Sequence, residues 1–235
     1  KEVLCHGIFA LGVGSMVLAM GFGMSRSIGP FEGAAAWIAN AVLLLQFPLG
    51  HSLLLTAPGR RLLTRLAPRD VAQDLLPTTY ATVAALQVFL LFALWSPSGV
   101  VWWQAAGWTL ALCLAAYGLS WLLLMKAMLD AGLELQSGLL GWWAVIRGRR
   151  PSYPDMPQTG LFRLTRQPIY VTFAMTLWTV PVWTPDQLSV ALTLTAYCLI
   201  GPMFKERRFA RLYGERFAEY RRRVPYWLPL PKHWR

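Results

Sequence analysis

Long runs of apolar residues are the feature that most constrains what this sequence can fold into. An α-helix needs about 20 residues to cross the roughly 30 Å hydrocarbon core of a bilayer. The runs here are close to that length, and hydrophobic residues make up 56% of the chain against 14% charged. The sequence therefore predicts an all-α polytopic integral membrane protein with about six transmembrane helices and a cytoplasmic C-terminal helical segment. The predicted spans are Leu4–Met24, Ala34–Thr56, Thr79–Trp95, Val101–Met125, Pro168–Trp183 and Leu188–Phe204.

The distribution of positive charge predicts the orientation of these spans. The segment Gly59–Arg69, predicted to be a loop, carries four arginines, and cytoplasmic loops are enriched in Lys and Arg. With six spans, only Arg26 of the 22 Lys and Arg residues falls in a loop on the far side. We therefore expect a multi-pass membrane protein with both termini in the cytoplasm. The first run is read as a span rather than a signal peptide, because it has no A-x-A-like cleavage site.

The net charge of +11 has two readings, a nucleic-acid partner or basic loops near anionic lipid. The apolar runs favour the second, so the lipid bilayer is the expected partner and nucleic acid is not. The three cysteines show neither disulfide nor metal-ligand spacing. His51 lies in a span, where a histidine usually serves packing, and no metal site is predicted.

The chain is predicted to form a single membrane domain, residues 1–235. The positions of charged residues and prolines divide it into three parts. Residues 1–126 hold four spans, residues 127–159 form an interfacial connection, and residues 160–235 hold a helical hairpin and a basic C-terminal helix. An amphipathic helix is predicted within Leu133–Ile146. The C-terminal helix is predicted from Arg207 to Tyr220, and the prolines after it end it.

Two separated motifs carry a resemblance to a known family. The segment Gly160–Tyr170 reads G-L-F-R-L-T-R-Q-P-I-Y and resembles the G-x-Y-R-x-x-R-H-P-x-Y pattern of the isoprenylcysteine carboxyl methyltransferase superfamily. That family continues with an E-E pair, then F-G-x-x-Y-x-x-Y and V-P before a final proline. The corresponding residues here are Lys205-Glu206, Tyr213-Gly214, Phe217, Tyr220, Val224-Pro225 and Pro229.

Three further segments resemble the bacterial methanethiol S-methyltransferase branch of that superfamily. They are His51-Ser52 before the basic segment, Gly148–Pro151, and Trp178–Trp183. The resemblance implies S-adenosylmethionine as methyl donor, bound on the cytoplasmic side by the C-terminal third. It also implies a small or lipid-linked thiol as acceptor, and the bacterial inner membrane as the location.

The sequence departs from the family pattern at three positions of the implied cofactor pocket. The family histidine is Gln167, the first glutamate of the E-E pair is Lys205, and a glycine is replaced by Thr172. Gln167 can form hydrogen bonds but cannot titrate near neutral pH. Lys205 reverses a charge and removes an acidic partner for a cationic ligand.

The resemblance assigns cofactor-binding roles to six residues: Arg163, Arg166, Gln167, Tyr170, Glu206 and Tyr220. The two arginines would hold the carboxylate of the cofactor, Gln167 and Tyr170 its polar edges, and Glu206 its ribose hydroxyls or amino group. The alternative is that the arginines are positive-inside anchors and the tyrosines belong to the interfacial aromatic belt. No catalytic residue is assigned, because a thiol with a pKa of about 8.5 is partly ionised near neutral pH without a base.

Three functions remain open from the sequence. The first is an S-adenosylmethionine-dependent methyltransferase acting on a thiol. The second is a homologue that has lost catalysis and serves as a structural or assembly subunit with membrane protein partners, which Gln167 and Lys205 would explain. The third is a phospholipid N-methyltransferase. The first and third require the segments around Arg166 and Glu206 to meet and enclose a nucleoside-sized hollow.

Overall fold

A computed structural model describes residues 2–227, with the side chains of residues 5–227. The predicted Pro229 lies outside the described residues. Within them, almost all regular structure is helical, which confirms the predicted all-α class. The helices are α1 (Glu2–Gly21), α2 (Gly33–Leu54), α3 (Ala57–Arg65), α4 (Leu76–Ala93), α5 (Gly107–Asp130), α6 (Leu133–Gln136), α7 (Leu139–Ile146), α8 (Pro168–Trp178), α9 (Pro185–Tyr213) and α10 (Glu215–Arg223). A 3-10 turn covers Gly160–Arg163, and two short strands are β1 (Trp103–Gln104) and β2 (Val182–Trp183).

In the part of the chain that the structure describes, four helices are long and apolar enough to cross a membrane, namely α2, α4, α5 and α9. They coincide with four of the predicted spans. Helices α1 and α8 occupy the positions of the predicted first and fifth spans. Both are apolar, over Cys5–Gly21 in α1 and over Pro168–Trp178 in the much shorter α8. At 1.5 Å per residue, the 11 residues of α8 extend only about 16 Å, roughly half of the hydrocarbon core. The chain on either side of α8 must therefore complete that crossing in non-helical form, which requires protein around it.

The helices pack so that α8 lies between α5 and α9, while α4 packs against α1 and α2. Their shared core is built from Met20, Leu91, Phe92, Leu177 and Leu194, which are almost fully buried. Many large apolar side chains on the outer faces are exposed instead. Leu122 is 69% exposed and Trp37 is 67% exposed, as expected of surfaces that face lipid.

Two predicted connections differ from the structure. Most of Gly59–Arg69, predicted as a loop, is helix α3, because Thr56 caps its N-terminus by accepting a hydrogen bond from Gly59 N. The single amphipathic helix predicted within Leu133–Ile146 is two short helices, α6 and α7. They are separated at Gly138, which has a φ of +79° and lies so close to α4 that a Cβ would approach Thr78 Cα to 2.9 Å.

The two predicted spans that flank the Trp-rich segments are also shorter than expected. Helix α5 starts at Gly107 rather than Val101, and α8 ends at Trp178 rather than Trp183. The intervening residues pair as antiparallel strands, with Trp103 opposite Trp183. Backbone hydrogen bonds between these strands satisfy polar groups that would otherwise be left unpaired near the membrane.

The bundle has two different ends. We call the end that holds α3, α6, α7, the 3-10 turn and α10 the basic end, and the end that holds β1 and β2 the strand end. Buried polar side chains tie the strand end together: Asn40 bonds both backbone groups of Ser96, and Asp186 accepts hydrogen bonds from Trp95 and Ser98. These bonds fix the starts of α2 and α9 against the end of α4.

Candidate functional site

The site begins where α5 meets the 3-10 turn at the basic end. Asp130 Oδ2 accepts a hydrogen bond from Leu161 N at 2.8 Å, and the same carboxylate pairs with Lys126. Gly160 has a φ of +57°, and a Cβ at this position would collide with the Asp130 carboxylate. The first residue of the motif is thus glycine because the chain must turn against an acidic side chain there.

The segment after the turn is joined to the end of the described chain. Arg166 N donates to Pro225 O at 3.0 Å, and Thr165 Oγ1 donates to Tyr226 O at 3.1 Å. Pro168 then occupies the first turn of α8, where its missing N–H costs no hydrogen bond. These contacts place the two motifs side by side.

Glu206 of α9 is the centre of the site. Gln167 Nε2 donates a hydrogen bond to Glu206 Oε1 at 2.9 Å, and Arg166 Nε lies 2.8 Å from the same oxygen. Arg221 Nε of α10 lies 3.8 Å from the other carboxylate oxygen. Glu206 and Arg166 are buried and Gln167 has no exposed surface. We call these four residues, Arg166, Gln167, Glu206 and Arg221, the Glu206 site.

Arg166 also holds the end of α10. Its Nη1 donates to Arg221 O at 3.0 Å and to Val224 O at 3.4 Å, and its guanidinium lies 5.2 Å from the centre of the Tyr226 ring. A cation at these carbonyls is favourable, because the C-terminus of a helix carries partial negative charge. Arg166 is therefore fixed by protein groups on several sides.

The ammonium of Lys205 forms no ion pair with Glu206 within 4 Å in the described part of the chain. Its Nζ donates to Arg166 O at 3.1 Å. The ammonium lies 5.8 Å from the ring centres of Phe162 and Tyr170 and 5.5 Å from that of Phe209. The reversed charge is thus accommodated by a carbonyl and three aromatic faces.

Tyr220 is buried and joins α10 to the 3-10 turn. Its hydroxyl donates to Phe162 O at 2.7 Å, and its ring packs near Met156 and Phe217. Burial raises the pKa of Tyr220 to about 12. Its hydroxyl therefore remains a hydrogen-bond donor at physiological pH, and the residue is a packing contact of α10 rather than a lipid-facing belt residue.

Two other predicted residues lie apart from the Glu206 site. Arg163, the last residue of the 3-10 turn, is exposed to solvent. Tyr170 is half-buried on α8 and packs against Gly201 of α9. Thr172, which replaces a family glycine, donates its hydroxyl proton to Pro168 O at 2.8 Å within its own helix.

The opening beside Arg166 is a depression of about 370 Å³, lined by Arg166, Ala218, Arg221 and Arg222. It is open on one side, unlike the enclosed hollow that we expected. Its size falls within the roughly 300–1,000 Å³ of small-molecule sites. Gln167 Oε1, on the residue that follows Arg166, is buried and has no hydrogen-bond partner among the described residues. Three guanidinium groups beside an unpaired acceptor suit a ligand that carries both a carboxylate and N–H or O–H groups.

Sequence reasoning missed Arg221 and Arg222, which looked like part of a basic surface. The usable signal was their position directly after Tyr220, the last tyrosine of the second motif. Among the described residues, no group of three or more His, Cys, Asp or Glu side chains could hold a metal ion.

Comparisons with known proteins identify relatives over most of the chain. It is 28% identical to Methanethiol S-methyltransferase 2 of Bradyrhizobium diazoefficiens over 225 residues, which is 94% of this chain and 83% of that protein. It is 29% identical to Methanethiol S-methyltransferase of Mycobacterium tuberculosis over 203 residues, 83% of this chain and 79% of that protein. It is also 32% identical to Nurim of Sus scrofa over 164 residues, 66% of this chain and 61% of that protein. No family model and no solved structure matches the chain.

Proposed function

We propose that this chain, which belongs to the isoprenylcysteine carboxyl methyltransferase-like family, is a membrane methyltransferase that transfers a methyl group from S-adenosylmethionine to a small thiol. The names of its relatives support the reaction and the acceptor class. The observation that carries the proposal is the contact between the two motifs, in which Gln167 and Glu206 are bonded although 39 residues separate them.

In this proposal the Glu206 site binds the amino-acid part of the cofactor. The guanidinium groups of Arg221 and Arg222 hold its carboxylate, because both line the depression and neither is fully buried. Glu206 Oε2 and Gln167 Oε1 accept hydrogen bonds from its amino group. Arg166 acts on Glu206 and on the end of α10 and thereby positions both.

When bound, S-adenosylmethionine supplies a methyl group on a positively charged sulfur, which an aligned nucleophile can attack. The protein contributes alignment and the exclusion of water, and these account for much of the barrier reduction in such displacements. The Gln167 substitution is compatible with a thiol acceptor, since a thiol is ionised more readily than an alcohol or a water molecule.

The proposal includes an orientation, with the basic end in the cytoplasm of a bacterial cell, facing its cofactor supply. Four arginines on and after α3, at 60, 61, 65 and 69, are without an acidic partner within 4 Å among the described residues. Such unpaired cations favour the cytoplasmic surface with its anionic lipids.

A structural role without catalysis is the second candidate, and one observation favours it. Gln167 Nε2 already occupies one oxygen of Glu206, and Lys205 is bonded to Arg166 O, so both substituted positions have partners inside the protein. In this case the Glu206 site would only join α8, α9 and α10.

Calorimetric titration of the purified protein in lipid nanodiscs with S-adenosylhomocysteine separates the two candidates. We expect binding by the wild type and at least tenfold weaker binding by Arg221→Gln, about 1.4 kcal/mol. The matched control is Arg223→Gln, which removes a similarly exposed arginine of α10 that pairs with Glu219. Gas chromatography of the headspace should detect a methylated thiol when a small thiol and S-adenosylmethionine are supplied.

No heat of binding at millimolar ligand, with correctly folded protein, would leave only the structural role. Equal affinity in both variants would keep the function but move the cofactor away from Arg221.

A further inference from the structure

A second cluster of polar and aromatic side chains lies between α2, α4 and α9 at the basic end. His51 Nε2 and the Tyr80 hydroxyl are 2.6 Å apart, and the Tyr80 hydroxyl is also 3.3 Å from His51 O. The ring of Phe47 lies 5.2 Å from the imidazole, between centres, and the ring of Tyr197 lies 6.2 Å from it. We call these four residues, His51, Tyr80, Phe47 and Tyr197, the His51 cluster.

One tautomer of His51 satisfies both hydrogen bonds of this cluster at once. The Tyr80 hydroxyl has one proton and two acceptors in reach. Both contacts are hydrogen bonds at once only when Tyr80 donates to His51 O and Nε2–H donates to the Tyr80 oxygen. Nδ1 then carries a lone pair, and it is buried without a partner among the described residues. A buried acceptor left unpaired is destabilising, and a bound donor would remove that cost.

A continuous line of contacts joins the His51 cluster to the Glu206 site. Tyr197 and Tyr170 both pack on Gly201, where a Cβ would lie 3.6 Å from Tyr197 Cε2 and 3.3 Å from Tyr170 Cε1. The Tyr170 ring centre lies 5.8 Å from Lys205 Nζ, next to Glu206 in the sequence. Along α9, Tyr197 and Glu206 are separated by about 13 Å of helix rise. The aminoalkyl arm of a methyl donor and a small thiol, placed end to end, suit a separation of this size.

We propose that the His51 cluster is the acceptor site, where His51 Nδ1 accepts a hydrogen bond from the S–H group of a small thiol and takes its proton. This inference rests on the proposed function. In the reaction, the thiol sulfur forms a bond to the methyl carbon while the bond from that carbon to the donor sulfur breaks. The breaking electron pair stays on the donor sulfur, which becomes neutral, and the thiol proton moves to Nδ1.

The surroundings suit this ligand. A small thiol is apolar except for its S–H group, and the rings of Phe47 and Tyr197 offer it an aromatic lining. Since Nδ1 has almost no accessible surface, one of these rings has to turn for the thiol to reach it. The positive charge lost by the donor sulfur appears on His51, so the net charge of the site does not change.

The test is His51→Gln, measured with thiols of different acidity. Glutamine can still donate a hydrogen bond to Tyr80 but has no group at the position of Nδ1 that takes a proton. We expect kcat/KM for ethanethiol to fall about 100-fold, the lower range for loss of a general base. The loss should shrink with the more acidic trifluoroethanethiol, which needs less help to ionise, because thiolate nucleophilicity falls less steeply than ionisation rises.

A readout that does not depend on turnover accompanies the kinetics. With S-adenosylhomocysteine bound, ethanethiol should raise the unfolding midpoint of the wild type and should not raise that of His51→Gln. Affinity for S-adenosylhomocysteine itself should stay within twofold in the variant. His6→Gln, which changes a histidine of α1 outside the cluster, is the matched control and should behave as the wild type.

A variant with unchanged kcat/KM would overturn the inference, as would an equal loss for both thiols together with lost S-adenosylhomocysteine binding, which would mark His51 as a structural residue. If the wild type binds no S-adenosylhomocysteine, the proposed function and the inference both fail. If the wild type methylates ethanethiol and His51→Gln does so equally well, only the inference fails. Tyr80→Phe gives an independent check, because loss of its bond to Nε2 should lower kcat/KM about tenfold with the same dependence on thiol acidity.

Discussion

The two ends of the bundle each bury an acidic residue of α9, but in opposite surroundings. At the strand end, Asp186 accepts hydrogen bonds from Trp95 Nε1 at 3.1 Å and from Ser98 N and Oγ at 2.9 and 2.6 Å. It has no Lys or Arg within 4 Å among the described residues. At the basic end, Glu206 is in contact with two arginines and one glutamine.

The two networks differ in whether all of their charged and hydrogen-bonding groups have partners. Neutral donors fill both oxygens of Asp186, and its charge is further stabilised by the N-terminus of α9. The Glu206 site instead has more cations than one carboxylate can neutralise, and Gln167 Oε1 is left without a partner. Gln187, near the strand end, also has an unpaired Oε1, so an unpaired oxygen alone does not mark a site. The Glu206 site is marked by the unpaired oxygen of Gln167 together with the arginine-lined depression beside Arg166.

Glu206→Ala should have the largest effect. It leaves the buried guanidinium of Arg166 without its carboxylate, and breaking a buried pair in this way costs about 3–5 kcal/mol. We also expect S-adenosylhomocysteine binding to be lost, measured by calorimetry on protein that remains folded. Glu206→Gln, which keeps the shape, should recover part of the stability but not the affinity. Normal affinity in either variant would place the cofactor elsewhere.

Asp186→Ala tests the other half of the comparison. Losing three hydrogen bonds to a charged acceptor should lower the free energy of unfolding by about 3 kcal/mol. Affinity for S-adenosylhomocysteine should remain within twofold, because the strand end does not contact the Glu206 site. The measurements are denaturant unfolding in detergent and calorimetry. A parallel loss of stability and affinity would mean that the two ends are coupled, and the comparison would fail.

Gln167→Leu should weaken cofactor binding about tenfold, through loss of the Oε1 acceptor and of the bond that fixes Glu206. Gln187→Leu is the matched control, because Gln187 is equally buried, also donates through Nε2, to Leu177 O, and also has an unpaired Oε1. The control should change the unfolding midpoint and leave affinity unchanged. If both variants bind alike, the unpaired oxygen of Gln167 has no part in binding.

Much of the fold was readable because apolar runs and charge bias act over whole segments. Four predicted spans are long apolar helices, and the two motifs meet at Arg166 and Glu206 as expected. The local errors come from short-range effects. Thr56 caps a helix in a segment that looked like a loop, and strand pairing shortens α5 and α8.

The site was less readable than the fold, because side-chain direction depends on neighbours from distant segments. Lys205 was expected to put a reversed charge into the cofactor pocket, but its ammonium contacts Arg166 O and aromatic rings. The C-terminal helix predicted through Tyr220 breaks at Gly214, with a φ of +51°. This break allows α10 to fold back and bring Arg221 to Glu206.

Tyr220→Phe should have the smallest effect and tests whether α10 acts on the site only through its position. Loss of the bond to Phe162 O should cost about 1 kcal/mol of unfolding free energy and weaken cofactor affinity less than threefold.

Burial raises the pKa of Tyr220 to about 12 from its ordinary value near 10. The contribution of Tyr220 to stability is therefore fully present below pH 10 and is lost only as pH rises towards 12. The stability difference between wild type and variant should therefore be the same at about pH 6 and at about pH 8.5, because both lie below the ordinary pKa of tyrosine. Tyr117→Phe, which removes a comparable bond to Val17 O far from the Glu206 site, is the control for a purely structural loss. An affinity loss in Tyr220→Phe as large as that in Arg221→Gln would mean that Tyr220 contacts the cofactor directly, and the basic end would then bind through its aromatic residues as well as its arginines.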